Sequence, residues 1–214
     1  MKKLLVYSFV FLLVCLKAFT QQITDFEWKI RLDDNSNVII TGYTGTDRSI
    51  VIPETINGMS VIYLAERAFA GKELISVTIP PSVRGIGEEA FAANRLENII
   101  VPSSVEIIED AAFQGNRLSS ITIHEGVKAI NDAAFSYNQL ARIVIPSSVT
   151  FIGDIAFQLN SLISITIGEN VILGIHSGIL DSYDDSFNLA YVSNGRLAGT
   201  YTRPNVNSTV WTRK

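Results

Sequence analysis

The sequence predicts a leucine-rich-repeat solenoid, mainly β with short helical turns, made of 22-residue coils and closed by a β-hairpin cap at each end. Two regularities carry this. Phe69, Phe91, Phe113, Phe135 and Phe157 follow one another at a constant step of 22 residues, and alanine precedes each. Leu74, Leu96, Leu118, Leu140 and Leu162 keep the same step, each followed by an apolar pair two residues apart, such as Val77 and Ile79 or Ile143 and Ile145. A period of roughly 20 to 29 residues opening on Leu-x-x-Ile-x-Ile is the mark of one coil per repeat.

The chain opens on Lys2-Lys3, an apolar run from Leu4 to Val14, and the small-residue site Ala18-Phe19-Thr20. This is the order of a secretory signal over residues 1–20, cut after Thr20. Such a run is too short for a permanent span, which needs about 20 apolar residues, and no later stretch is longer, so no transmembrane segment is expected. Cys15 is the only cysteine, so cleavage leaves a mature chain with neither thiol nor disulfide. The competing reading makes Cys15 the lipidated first residue, but Val14 stands where such signals carry Gly, Ala or Ser. Loss of Lys2, Lys3 and Lys17 leaves 14 basic against 21 acidic residues, a net charge of −7. That balance argues against nucleic acid and against docking on anionic lipid.

Residues 21–49 read as the first cap. Phe26, Trp28, Ile30 and Leu32 alternate with Glu27, Lys29 and Arg31, and Asp33-Asp34-Asn35-Ser36-Asn37 then turns the chain into a strand from Val38 to Tyr43. The solenoid occupies residues 50–180 as about six coils. Its first coil is irregular, with about five extra residues around the turn Asn57-Gly58, so Phe69→Ala is expected to cost less than Phe113→Ala.

Within a regular coil the Leu-x-x-Ile-x-Ile segment is a short strand. Alternation sends Val77 and Ile79 inward and Ser76 and Thr78 outward, and Pro80 ends the strand, as Pro102 and Pro146 do in theirs. A valine (Val83, Val105, Val127, Val149, Val171) and an isoleucine (Ile86, Ile108, Ile130, Ile152) add further core positions. One coil buries too little to offset the entropy of ordering its backbone, so coils must stack.

Two polar ladders complete the coil. Glu66, Glu88, Asp110, Asp132 and Asp154 stand three before each phenylalanine. They read as caps of the turn that carries Ala-Phe, the alternative being a row of carboxylates that collects cations. Asn94, Asn116, Asn138 and Asn160 fall three after the phenylalanines, where asparagine tolerates a left-handed turn and bonds its own backbone. The repeat decays at the sixth coil, where Gly178-Ile179 replaces Ala-Phe. Residues 181–214 read as a second β cap: a strand from Phe187 to Val192, a turn at Asn194-Gly195, a strand from Leu197 to Tyr201, and a last strand around Trp211.

The element Ala-Phe, Asn three residues on, then Leu-x-x-Ile-x-Ile-Pro-Ser-Ser-Val, as in residues 134–149, resembles the repeat of BspA-like bacterial surface proteins over residues 50–175. The tail from Asn194 to Thr202 also looks like ends found in that family. Those repeats often carry cysteine where this chain has its asparagines. The resemblance implies an exported adhesion or binding protein and brings no catalytic residues.

The residues themselves agree with that expectation. No phosphate loop, nucleophile elbow or His-Glu-x-x-His helix occurs, and neither His124 nor His176 belongs to a triad pattern, so neither enzyme activity nor a cofactor is expected. Asp33-Asp34 and Asp181, Asp184 and Asp185 lack the spacing of a calcium loop and read as solvated turns. What is left is the outward row of the strands: Ser76, Thr78, Asn98, Ile100, Ser120, Thr122, Arg142, Val144, Ser164 and Thr166. Solenoids bind on extended surfaces, so this face is expected to take a protein, either a host matrix protein or another bacterial surface protein. The alternative is a structural component that self-associates into a homo-oligomer. Aromatic platforms, which sugars use, are missing from these rows.

Overall fold

The computed structural model describes residues 23–32, 36–174, 178–180 and 186–214. The expected secretory signal with Cys15 and Thr20, the acids Asp33, Asp34, Asp181, Asp184 and Asp185, and His176 lie outside the described residues. Among the described residues no helix is long and apolar enough to cross a membrane.

Successive coils stack in parallel register, and the apolar positions of the repeat converge on one continuous core. The five repeat phenylalanines are buried and stacked ring on ring, with centroids 4.9, 5.2, 5.2 and 5.6 Å apart and planes within 11° of parallel. The recurrent leucines, valines and isoleucines surround this column. The strand alternation is as expected: Val77, Ile99, Ile143 and Ile165 face in, while their outward neighbours face solvent, half-buried in the last coil.

Each coil contributes two strands rather than one. Ser76–Thr78, Asn98–Val101, Ser120–Ile123, Arg142–Val144 and Ser164–Ile167 form the expected face. Two-residue strands at Gly85–Ile86, Ile107–Ile108, Ala129–Ile130, Phe151–Ile152 and Ile172–Leu173 form a second. The second is the continuous sheet, nine strands including the N-terminal hairpin, whereas the first is divided into three shorter ladders.

The polar ladders keep part of their expected roles, the asparagines bonding their own turns, and depart in the rest. The left-handed residue is the one before each asparagine (Ala93, Gly115, Tyr137 and Leu159, φ between 53° and 67°), not the asparagine itself. Asn116 is buried and ties two coils together. Its Oδ1 accepts the Leu96 N–H at 3.1 Å, and its Nδ2 donates to the carbonyls of Phe91 (2.9 Å) and Phe113 (3.1 Å). Asn94, Asn138 and Asn160 repeat the pattern, which satisfies backbone groups that the turn would otherwise bury unpaired.

The segments carrying Ala-Phe are turns, not helices. It is the backbone carbonyls of Glu88, Asp110, Asp132 and Asp154 that accept N–H groups of the preceding coil. Among the described acids of this ladder, Asp132 takes a backbone N–H on its carboxylate, that of Asp154 in the next coil, at 2.8 Å.

At the N-terminal end, Phe26–Ile30 pairs antiparallel with Asn37–Tyr43, which lies parallel to Met59–Leu64. Phe26 and Tyr43 pack on Phe69 and close the aromatic column, while Leu32 is 93% exposed. The extra residues of the first coil form a hairpin from Thr55–Ile56 into Met59–Leu64. Asn57 (φ 52°) and Gly58 (φ 79°) supply its two left-handed turn residues.

The C-terminal cap departs from the expected strand–turn–strand. Ser186–Ser193 is an α-helix. A strand would send Phe187, Leu189 and Tyr191 to one side, whereas Phe187 and Tyr191, four apart, are buried and Leu189 is exposed, the spacing of a helix face. Asn194-Gly195 is the end of that helix rather than a hairpin turn. Arg196 N–H returns to the Tyr191 carbonyl and Gly195 N–H to that of Val192, with Gly195 at φ 68°, a Schellman close. Gly199–Thr202 then pairs antiparallel with Ser164–Ile167, and Thr212–Arg213 pairs with it in turn. Phe187, Tyr191, Tyr201 and Trp211 cluster beneath, with Arg203 over the Trp211 ring and its Nε donating to the Leu162 carbonyl at 2.7 Å.

Candidate functional site

Strand register collects the outward residues of the first face into two rows. Ser49, Ser76, Asn98, Ser120, Arg142, Ser164 and Thr202 form one, and Val51, Thr78, Ile100, Thr122, Val144, Thr166 and Thr200 the other. The sequence located five coils of these rows. It missed both ends, where Ser49 and Val51 precede Ser76 and Thr78, and Thr202 and Thr200 follow Ser164 and Thr166. The strand Gly199–Thr202 runs antiparallel to its neighbour, so no repeat spacing announces it.

Within the rows, Ser76 and Thr78 belong to one ladder, Asn98, Ile100, Ser120 and Thr122 to a second, and Arg142, Val144, Ser164 and Thr166 to a third. The three lie side by side along the solenoid. The second row is β-branched throughout, which suits a pleated surface. Its aliphatic members are bare: Val51 is 51% exposed, Ile100 59% and Val144 65%. Ser164 and Thr166 are half-buried beside the terminal strand, and the Thr166 and Thr200 hydroxyls share a hydrogen bond of 2.9 Å. Arg142 is the one charge in the two rows. Such a face offers short hydroxyls, methyl groups and one guanidinium. It can bury against a protein at little desolvation cost, and it presents no nucleophile paired with a base.

The second sheet carries an outward row that two-residue strands did not announce. Ile39, Tyr63, Gly85, Ile107, Ala129, Phe151 and Ile172 stand in register, each on the strand next to the last. The Tyr63 ring lies over Gly85, where an added Cβ would sit 2.5 Å from it, so only glycine fits beneath. Tyr63 donates its hydroxyl to Glu109, and burial together with that carboxylate holds the phenol well above its ordinary pKa. Tyr63, Gly85 and Ile107 line a shallow hollow with Arg31, Arg84 and Glu106. Among the described residues no group of three His, Cys, Asp or Glu side chains converges in a way that could hold a metal.

The fold has relatives among solved structures. A leucine-rich repeat protein of T. pallidum is 25% identical, with a TM-score of 0.56, over 74% of this chain and 80% of that one. One from Bacteroides ovatus is 28% identical, with a TM-score of 0.53, over 63% of this chain and 37% of that one. The pneumococcal vaccine antigen PcpA, at 17% identity and a TM-score of 0.54 over 68% of this chain and 49% of that one, shares the fold. No curated protein matches the chain. The profile of the BspA type leucine rich repeat region matches six copies over residues 62–177, more than half of the chain, and the protein is therefore a member of the BspA-type leucine-rich repeat family.

Proposed function

We propose that this protein is exported and holds a protein partner, a host matrix protein or another bacterial surface protein, on the two Ser/Thr rows of its first sheet face. The single observation that carries the reading is the extent of those rows: small hydroxyls and bare Val51, Ile100 and Val144 run across seven of the eight strands of this face with one charge among them. A face of methyl groups and short hydroxyls with a single charge can be desolvated against a protein at little cost. Membership of a repeat family that generally serves protein interaction supports it, as do the signal-like start and the acidic mature balance. No catalytic role is part of this reading.

The test is attachment of purified protein to an array of extracellular-matrix proteins and to whole bacteria. Replacing Ser120 and Thr122 with Glu puts two charges at the centre of the rows and should abolish attachment with the unfolding temperature unchanged, since outward positions contribute little to the core. Changing Glu88 and Asp110 to Asn, on the turn side, should leave attachment intact. Loss in the second pair alone would refute the choice of face. Intact mass of the exported protein tests the start, which should be Gln21 with no acyl group.

A further inference from the structure

We propose that the second sheet is a self-association face, on which a second copy of this chain packs antiparallel about a two-fold axis. This goes beyond the binding function above and uses none of the Ser/Thr rows. Three observations carry it. The outward row from Ile39 to Phe151 is apolar on six consecutive strands and held in unbroken register from Tyr63 onward. A second row runs alongside, one residue earlier in each coil: Arg84, Glu106 and Lys128, exposed and linked through the backbone by Glu106 N–H to the Arg84 carbonyl and Lys128 N–H to that of Glu106. Among the described residues none of these three side chains forms an ion pair.

Alternating charge selects the partner. A two-fold axis across the row, between the coils of Gly85 and Ile107, reverses the order of one copy against the other, so each Arg84 meets the partner copy's Glu106 and the pair forms twice. The same operation sets Ile107 against the Tyr63 ring that lies over Gly85, and the small Ala129 against the base of Tyr63. It also sets Ile39 against Phe151. Six strands overlap, spanning about 24 Å from first strand to last. An isologous contact with an apolar centre and complementary charged rim is the common form of a dimer. A partner with a rim of one sign would leave either Glu106 or the two cations facing like charge.

The experiment is the mass of the purified protein in solution across a concentration series, by light scattering. A concentration-dependent dimer is expected. Arg84→Glu and Glu106→Arg should each weaken it on the order of tenfold or more, and the double exchange, which restores opposite charges across the axis, should recover it. Ile107→Lys breaks the apolar centre independently and should give monomer. All four variants should melt with the parent. Monomer at every concentration overturns the proposal, as does a double exchange that stays as weak as the singles. So does a dimer lost in the Ser120/Thr122→Glu variant but kept in Arg84→Glu.

Discussion

Removing one ring from the aromatic column measures how far the coils depend on it. Phe113 sits in the middle with no exposed surface, stacked between Phe91 and Phe135 at 5.2 Å on both sides. Truncating a buried phenylalanine costs about 3 to 5 kcal/mol, made of lost transfer energy and the cavity left behind. Two stacked partners place Phe113→Ala toward the upper end, about 4 to 5 kcal/mol. At a urea slope of about 2 kcal/mol per molar, the midpoint should fall by about 2 M. The structure also revises the comparison drawn from the irregular first coil. Phe69 is equally buried and packed by Phe26, Tyr43 and Phe91, so Phe69→Ala should lose as much rather than less. Phe113→Leu, which keeps most of the volume, should lose a minor part of it. A midpoint shift below about 0.5 M in Phe113→Ala with an unchanged slope would refute the column as the main support of the stack.

Three further outcomes follow from the ladders. Asn116→Ala strands the Leu96 N–H and two carbonyls in the interior and should cost about 2 to 4 kcal/mol in urea unfolding, while Asn116→Cys, with a weak donor and acceptor in place, should cost less. Ala93→Gly relieves a left-handed alanine at φ 55° and should raise stability by about 0.5 to 1 kcal/mol in the same assay, because the relief outweighs the added freedom of the unfolded chain. Glu125 accepts the N–H groups of Ser147 and Ser148 in the next coil, and the Ser147 N–H leads in holding its carboxyl below the ordinary 4.5. The unfolded chain therefore binds this proton first as pH falls. The contribution is complete above the ordinary value and is lost as pH drops through the folded one, so thermal melts from pH 7 to 3 should show a smaller decline in Glu125→Gln than in the parent.

What the sequence made legible was whatever repeats with a side chain. Inward and outward alternation on the first face needs only three residues per coil, and Ser76-Val77-Thr78 already shows it. The second sheet escaped because Gly85–Ile86 and its counterparts give one inward and one outward residue each, too short for any period to appear. The asparagine ladder was visible, but its bonding partner lies 20 residues earlier in the chain, and a local reading assigns the side chain to its own turn. The left-handed positions before it hold Ala93, Tyr137 and Leu159, residues with no preference for that conformation, so packing imposes it. At the C-terminal cap the Asn-Gly pair suited both a hairpin and a helix close, and the four-residue spacing of Phe187 and Tyr191 was the signal that separated them.

Repetition also separates packing from what faces outward. Inward positions in the four regular coils of the second sheet are Ile86, Ile108, Ile130 and Ile152, one residue type at one depth, with Leu64 and Leu173 continuing the row at its ends. The position before them runs Gly85, Ile107, Ala129 and Phe151, varied in size yet never polar, while the position before that runs Arg84, Glu106 and Lys128, charged in three coils together. Unconstrained solvent-facing positions would mix polar and apolar residues within each row. Sorting into one apolar and one charged row over these three coils is what the proposed two-fold contact requires of this side.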